Sequence, residues 1–124
     1  MSDPIRVIYV EDSPLHAQLL RAGLSVYNIE VIIFDHGDER LIEEIGRSEN
    51  DDAKIILIDL WMGDLTGLQI ARRLRAEGDN RPIMVVSGGE SPSNRELLAI
   101  QAMFVSKPFD FDQISEAIYR VAQR

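Results

Sequence analysis

Five short apolar runs, most of them rich in isoleucine and valine, alternate with segments of helical periodicity along this chain. The runs are Ile5 to Val10, Val31 to Phe34, Ile55 to Ile58, Ile83 to Val86 and Met103 to Val105. They are nearly continuous in apolar residues, which is typical of strands buried on both faces of a parallel sheet. A strand followed by a helix, repeated five times, predicts an α/β fold with a parallel sheet.

The segments between the runs carry helical apolar stripes and helix start signals. The last stripe has the i, i+3, i+4, i+7 spacing of an amphipathic helix: Ile114, Ala117, Ile118 and Val121. Ser13 before Pro14 is a favoured pair for the cap and first position of a helix. Three further pairs have the spacing of a capping box: Thr66 with Gln69, Ser93 with Glu96, and Asp110 with Gln113.

Length and composition limit the classes of protein that are possible. A chain of 124 residues has the usual size of one domain, so we expect a single domain over residues 1–124 with no output domain. The net charge of −8 argues against direct nucleic-acid binding, which needs a basic surface. The lack of cysteine excludes a disulfide scaffold, a cysteine-ligated metal site and a thiol nucleophile. No export signal and no run of about 20 apolar residues is present, so we expect a cytoplasmic protein without a membrane span.

Polar side chains follow all five apolar runs, and those after four of the runs form the candidate cluster, while the second run ends at Asp35-His36-Gly37 without a partner in it. Glu11 and Asp12 come after the first run, Asp59 after the third, Ser87 after the fourth and Lys107 after the fifth. Ligands of open α/β sheets bind at the carboxyl ends of the strands, so these five residues are expected to meet at one edge of the sheet.

The expected cluster has the composition of a phosphoryl-binding site. Three neighbouring carboxylates raise each other's pKa unless a cation compensates them, and oxygen ligands suit Mg²⁺. A magnesium ion, a lysine and a small hydroxyl can together neutralise and hold a phosphoryl group. The remaining carboxylate can act as a nucleophile that forms an acyl phosphate.

These residues resemble the receiver domain of two-component response regulators. Four motifs carry the resemblance, in order and over the whole chain: Glu11-Asp12-Ser13, the stretch from Leu57 to Gly67, Ser87-Gly88-Gly89, and Ser106-Lys107-Pro108-Phe109. The resemblance implies a flavodoxin-like fold, with a five-stranded parallel sheet in the order 2-1-3-4-5 and helices on both faces. It also implies a single-domain receiver, similar to the chemotaxis regulators, that works in two-component signal transduction or a phosphorelay.

The resemblance assigns a role to each residue around the acceptor. Asp59 would accept the phosphoryl group and become an aspartyl phosphate. Asp12 would bind Mg²⁺ directly, Glu11 would act on it through water, and Trp61 would offer its backbone carbonyl. Ser87 would bond one phosphoryl oxygen.

Three further residues have implied roles. Lys107 would pair with another phosphoryl oxygen, and Phe104 would rotate inward together with Ser87 as the aromatic switch. The peptide bond from Lys107 to Pro108 is expected to be cis, which only X-Pro bonds adopt at low cost.

The sequence departs from the family pattern at several positions. Gly63 stands where the family usually has proline, and Trp61 is bulky beside the acceptor, which bears on phosphoryl lifetime. Ile100 and Gln101 replace the usual Gly-Ala, so the fourth helix and its loop are expected to differ in shape. Phe104 replaces the commoner tyrosine. The two histidines, at positions 16 and 36, are interpreted as isolated surface residues.

The function predicted first is a switch. A histidine kinase or phosphotransfer protein would phosphorylate Asp59, and a downstream protein would bind the face formed by the fourth helix, fifth strand and fifth helix. Self-phosphorylation and self-dephosphorylation would be its only chemistry. One alternative is a docking module on the same fold that works without phosphorylation. Another is a phosphatase with an aspartate nucleophile, but such enzymes usually carry an acid/base carboxylate where Trp61 stands here.

Overall fold

Residues 3–62 and 64–123, which the computed structural model describes, contain one five-stranded parallel sheet. Its strands are β1 (Ile5–Val10), β2 (Ile29–Phe34), β3 (Ile55–Asp59), β4 (Ile83–Ser87) and β5 (Ala102–Ser106). They lie in the order β2-β1-β3-β4-β5, and every neighbouring pair is parallel. The predicted flavodoxin-like sheet and its strand order are therefore confirmed.

Five helices cover the two faces of this sheet. They are α1 (Pro14–Ser25), α2 (Glu39–Ile45), α3 (Gly67–Ala76), α4 (Asn94–Ile100) and α5 (Phe111–Ala122). The apolar stripes of α1 and α5 pack on one face, whereas α2, α3 and α4 pack on the other. Alternate residues of the central strands supply the two cores, since successive side chains of a strand point to opposite faces. No helix within the described ranges is long and apolar enough to cross a membrane.

Burial on both faces holds for the centre of the sheet and not for its edges. Every residue of β3 and β4 is buried, but β2 and β5 have one neighbouring strand each and keep exposed positions. The prediction of full burial is therefore wrong for the edge strands. β2 also begins two residues before the predicted Val31, because its exposed Glu30 interrupts the apolar run without interrupting the strand.

The predicted caps begin four of the helices. Ser13 Oγ accepts a hydrogen bond from the His16 amide at the start of α1. Complete capping boxes begin α3 at Thr66 and α4 at Ser93. At the start of α5 the Asp110 carboxylate accepts a bond from the Gln113 amide, and the return bond of a capping box does not form there.

α4 ends in a backbone conformation that is uncommon for a residue other than glycine. Gln101 ends this seven-residue helix in the left-handed conformation, with φ of 54°. That conformation costs a residue other than glycine about 1 kcal/mol. Arg75 of α3 offsets the cost, since its guanidinium donates hydrogen bonds to the carbonyls of Ile100 at 2.8 Å and Gln101 at 3.2 Å.

Candidate functional site

Three carboxylates meet where β1 and β3 end. β1 pairs with β3 so that Val10 lies beside Ile58, which brings the residues after them together. Glu11, Asp12 and Asp59 each place an oxygen within 4.8 Å of the others. Glu11 and Asp59 are buried, while Asp12 is exposed at the rim.

Lys107 supplies the positive charge of this site. Its ammonium lies 2.7 Å from Glu11 Oε1 and 3.6 Å from Asp59 Oδ1. Its backbone amide donates to the carbonyl of Ser87 at 2.9 Å, and the following peptide bond, to Pro108, is cis. The three carboxylates and this ammonium carry a net charge of −2 when all are ionised, which one divalent cation would balance. The oxygen donors and this charge fit a magnesium ion.

The buried carboxylates differ in how readily they ionise. Burial raises the pKa of Asp59 to about 6 from its usual 3.8, and the neighbouring Glu11 carboxylate adds to the rise. Burial also acts on Glu11, but the hydrogen bond and charge of Lys107 outweigh it, so the pKa of Glu11 is lowered. Without a metal, Lys107 therefore stabilises the ionised form of Glu11, whereas the ionised form of Asp59 stays disfavoured.

Tyr9 supports Glu11 from inside the protein, which the sequence interpretation missed. Its hydroxyl donates a hydrogen bond of 3.0 Å to Glu11 Oε1, the oxygen that also accepts from Lys107. Burial, followed by the Glu11 charge, raises the pKa of Tyr9 far above its usual value, so it stays a donor. The signal was available, because Glu11 directly follows β1 and lies two residues after Tyr9, and side chains two residues apart in extended chain share a face.

The loop after β3 holds the acceptor strand tightly against α3. The Gly67 amide donates to the Leu60 carbonyl at 2.8 Å, and a Cβ at position 67 would lie 2.5 Å from the Asp59 carbonyl oxygen. Only glycine permits this approach.

The Trp61 side chain, two residues after Asp59, is exposed at the rim. Gly63, whose replacement of proline the sequence analysis noted, lies outside the described residues.

The two predicted switch residues lie at the edge of the site and on the last strand. Ser87 ends β4 fully buried, and its hydroxyl accepts a hydrogen bond of 3.0 Å from the Gly89 amide. Phe104 lies on β5 beside Val85 of β4, and it is half-buried. It lines a shallow depression with Gln113 of α5.

The interpretation of both histidines as isolated is wrong. His16 places Nδ1 3.2 Å from Lys107 Nζ and 3.4 Å from Glu11 Oε1, next to the carboxylate cluster. His36 lies away from that cluster and has Nε2 3.1 Å from Glu44 Oε2. Neither contact shows in sequence spacing, because each joins side chains from separate elements.

The match to known families covers nearly the whole chain. A family model for the response regulator receiver domain matches residues 7–119. This chain belongs to the response regulator receiver domain family. The predicted resemblance is therefore confirmed, and the site just described lies within the matched part of this receiver domain.

Curated relatives extend beyond the part that this receiver domain matches. Response regulator MprA of Mycolicibacterium vanbaalenii is 32% identical over 113 residues, which are 90% of this chain and 47% of that protein. Cell cycle transcriptional regulator CtrA of Caulobacter vibrioides is 31% identical over 122 residues, which are 97% of this chain and 51% of that protein. The chain thus spans about half the length of the curated relatives it matches.

Solved structures agree with the receiver fold. The crystal structure of FixJ-N has a TM-score of 0.82 at 25% identity, covering 100% of this chain and 97% of that chain. Chemotaxis protein CheY4 of Vibrio cholerae has a TM-score of 0.79 at 23% identity, covering 95% of this chain and 98% of that chain. At its level of identity, CheY4 supports the fold alone.

Proposed function

We propose that this receiver domain is a phosphorylation switch, in which Asp59 accepts a phosphoryl group from a histidine kinase or a phosphotransfer protein. The observation that carries the proposal is the pairing of Asp59 with Lys107, inside a pocket where Glu11 and Asp12 add two more carboxylates. Asp59 is a buried carboxylate with a raised pKa, and it lies beside an ammonium. A strongly perturbed carboxylate next to a cation is a candidate nucleophile.

The transfer replaces one bond to phosphorus with another. An Asp59 carboxylate oxygen attacks the phosphorus of the donor's phosphohistidine, the P–N bond breaks, and the donor imidazole leaves with the electron pair. The product is an acyl phosphate on Asp59, and Lys107 and Ser87 bond its oxygens. Hydrolysis reverses the state, since attack of water on phosphorus releases phosphate and restores the carboxylate. This cycle is the only chemistry we propose for the chain.

The proposed cofactor is Mg²⁺, held by Asp12, Asp59 and the backbone carbonyl of Trp61, with Glu11 acting through water. When bound, the ion neutralises charge on the carboxylates and on the phosphoryl oxygens. The chain's own contribution is to keep these oxygens together before the donor arrives. Tyr9 and Lys107 do so by fixing Glu11 from two sides.

The proposed output is a change of the face formed by α4, β5 and α5. Ser87 would turn from the Gly89 amide toward the phosphoryl group, and Phe104 would move inward behind it. Leu98 of α4 and Met103 of β5 are large exposed apolar side chains on this face, which suits a protein partner. The predictions of a stand-alone receiver, a cytoplasmic location and no direct nucleic-acid binding stay predictions.

Mass measurement after reaction with a small phosphodonor tests the proposal. Wild type incubated with acetyl phosphate and Mg²⁺ should gain the mass of one phosphoryl group, stable in acid and removed by base. Asp59→Asn should gain nothing. Asp35→Asn is the matched control, because Asp35 follows β2 as Asp59 ends β3, and it should be labelled like wild type. Absence of an adduct on wild type, or its survival in Asp59→Asn, would favour a docking module that works without phosphorylation.

A further inference from the structure

The first turn of α1 carries an imidazole that contacts Lys107 and Glu11 of the proposed acceptor site. Ser13 caps the helix through the His16 amide, which sets the third helical residue above the end of β1. His16 Nδ1 lies 3.2 Å from Lys107 Nζ. The His16 side chain is 47% exposed and that of Lys107 is 15% exposed, so the imidazole lies on the solvent side of the ammonium.

The hydrogen-bond donors of Lys107 account for this contact. An ammonium has three N–H donors and no acceptor. One donor is directed to Glu11 Oε1 at 2.7 Å, and the Asp59 carboxylate lies further off at 3.6 Å. Because an ammonium cannot accept, a hydrogen bond between the two groups needs His16 Nδ1 as the acceptor, in the imidazole tautomer with its proton on Nε2; the same Nδ1 also lies 3.4 Å from Glu11 Oε1.

We propose that His16 is a positioning residue, which holds the Lys107 ammonium in place for phosphoryl transfer to Asp59. The proposal rests on the proposed function of the site. Glu11 holds Lys107 tightly in the resting state, yet the ammonium has to bond a phosphoryl oxygen during transfer. A second acceptor from α1 keeps Lys107 above the site while its bond to Glu11 is exchanged for the new one.

The neutrality of this acceptor matters as much as its position. A fourth carboxylate at position 16 would compete with the phosphoryl group for Lys107 and would raise the pKa of Asp59 further. An imidazole accepts the hydrogen bond without adding negative charge.

Three substitutions separate positioning from a general structural effect. His16→Leu removes the acceptor, and His16→Asn keeps an oxygen close to the place of Nδ1. His16→Gln instead places its oxygen near the position of Nε2, which faces away from Lys107. Gln18→Leu, on the exposed side of the same helix, is the control for added apolar surface.

Phosphorylation rates with acetyl phosphate and Mg²⁺ provide the first measurement, in a mildly alkaline buffer in which free imidazole is neutral. His16→Leu should slow the labelling of Asp59 about three- to tenfold, as expected for one partly exposed hydrogen bond to a charged donor. His16→Asn should recover wild-type labelling to within about twofold, whereas His16→Gln should stay slow. Gln18→Leu should match wild type. Thermal unfolding checks that every variant folds.

Nitrogen-15 NMR of the lysine ammonium groups provides a second measurement that needs no phosphorylation. The chain has two lysines, Lys54 and Lys107, and Lys54 is exposed, so it serves as the internal reference. The Lys107 ammonium protons should exchange with water more slowly than those of Lys54. This protection should fall in His16→Leu and return in His16→Asn.

The two measurements distinguish failure of this inference from failure of the proposed function. If wild type is labelled on Asp59 and His16→Leu reacts at the same rate, His16 does not position Lys107 and the inference is overturned. If wild type is not labelled at all, the proposed function fails. The NMR measurement then decides alone whether His16 positions Lys107. If the Lys107 ammonium protons exchange with water at the same rate in His16→Leu as in wild type, His16 does not position Lys107.

Discussion

Asp59 and Asp35 occupy equivalent places in sequence, each at the end of an apolar strand, but very different places in the molecule. The Asp59 side chain is 11% exposed and lies among Glu11, Asp12 and Lys107. The Asp35 side chain is 84% exposed, and its Oδ1 lies 3.3 Å from Nδ1 of His36. β3 has a neighbour on each side, whereas β2 is an edge strand. A carboxylate becomes a candidate nucleophile here through its neighbours in the sheet rather than through its place after a strand.

The largest expected effect concerns how closely the backbone packs behind Asp59. Gly67→Ala should destabilise the protein by about 3 kcal/mol, because the new Cβ would lie 2.5 Å from the Asp59 carbonyl oxygen. Gly46→Ala, at the end of α2, is the matched control, since its Cβ would have no contact closer than 3.6 Å. Urea unfolding of the two variants measures the difference. Equal stabilities would show that the acceptor loop is no more tightly packed than the end of α2.

The second effect is a stabilisation obtained by removing the acceptor charge. The pKa of Asp59 is about 6 in the folded protein and 3.8 in an unfolded chain. Between these pH values the folded protein therefore binds more protons than the unfolded chain does. Its stability therefore falls as the pH rises from about 4 to about 6. Without metal, these two pKa values correspond to about 3 kcal/mol, and because solvent partly screens the carboxylate we expect Asp59→Asn to be more stable than wild type by about 2 kcal/mol near neutral pH. The difference should vanish in acid.

Urea unfolding over a series of pH values checks this dependence. Asp35→Asn should unfold like wild type at each pH, because its carboxylate is exposed to solvent. If Asp59→Asn raises the free energy of unfolding by the same amount at acid and neutral pH, the assignment of the raised pKa to Asp59 is contradicted.

The smallest effect is the stabilisation that Mg²⁺ adds at the cluster. At a concentration about ten times its dissociation constant, the ion should stabilise wild type by about 1.4 kcal/mol, and a chelator should reverse this. Asp12→Asn should weaken binding, and Asp35→Asn should not. The fluorescence of Trp61, the single tryptophan, gives a direct titration because it lies two residues after Asp59. Equal binding by both variants would place the ion elsewhere.

The sequence predicts the meeting of Asp59 and Lys107 because it follows from strand order alone. Parallel strands bring their carboxyl ends to one edge, and capping residues such as Thr66 set where the helices begin. The contact of His16 with Lys107 was not predicted, since it joins side chains from separate elements whose directions only the packed structure defines. The contact of Tyr9 with Glu11 could have been predicted from their spacing. The edge strands were also misjudged, because an apolar run does not show whether a strand has one neighbour or two.

The central claim is that position in the sheet selects Asp59 among all 21 acidic residues. Peptide mapping tests it most directly. Wild type is reacted with acetyl phosphate and Mg²⁺, the acyl phosphate is reduced with borohydride, and the peptides are sequenced by mass spectrometry. The account predicts conversion of aspartate to homoserine at position 59 and no conversion at position 35. Conversion at position 35, or conversion spread over several acidic residues, would contradict it.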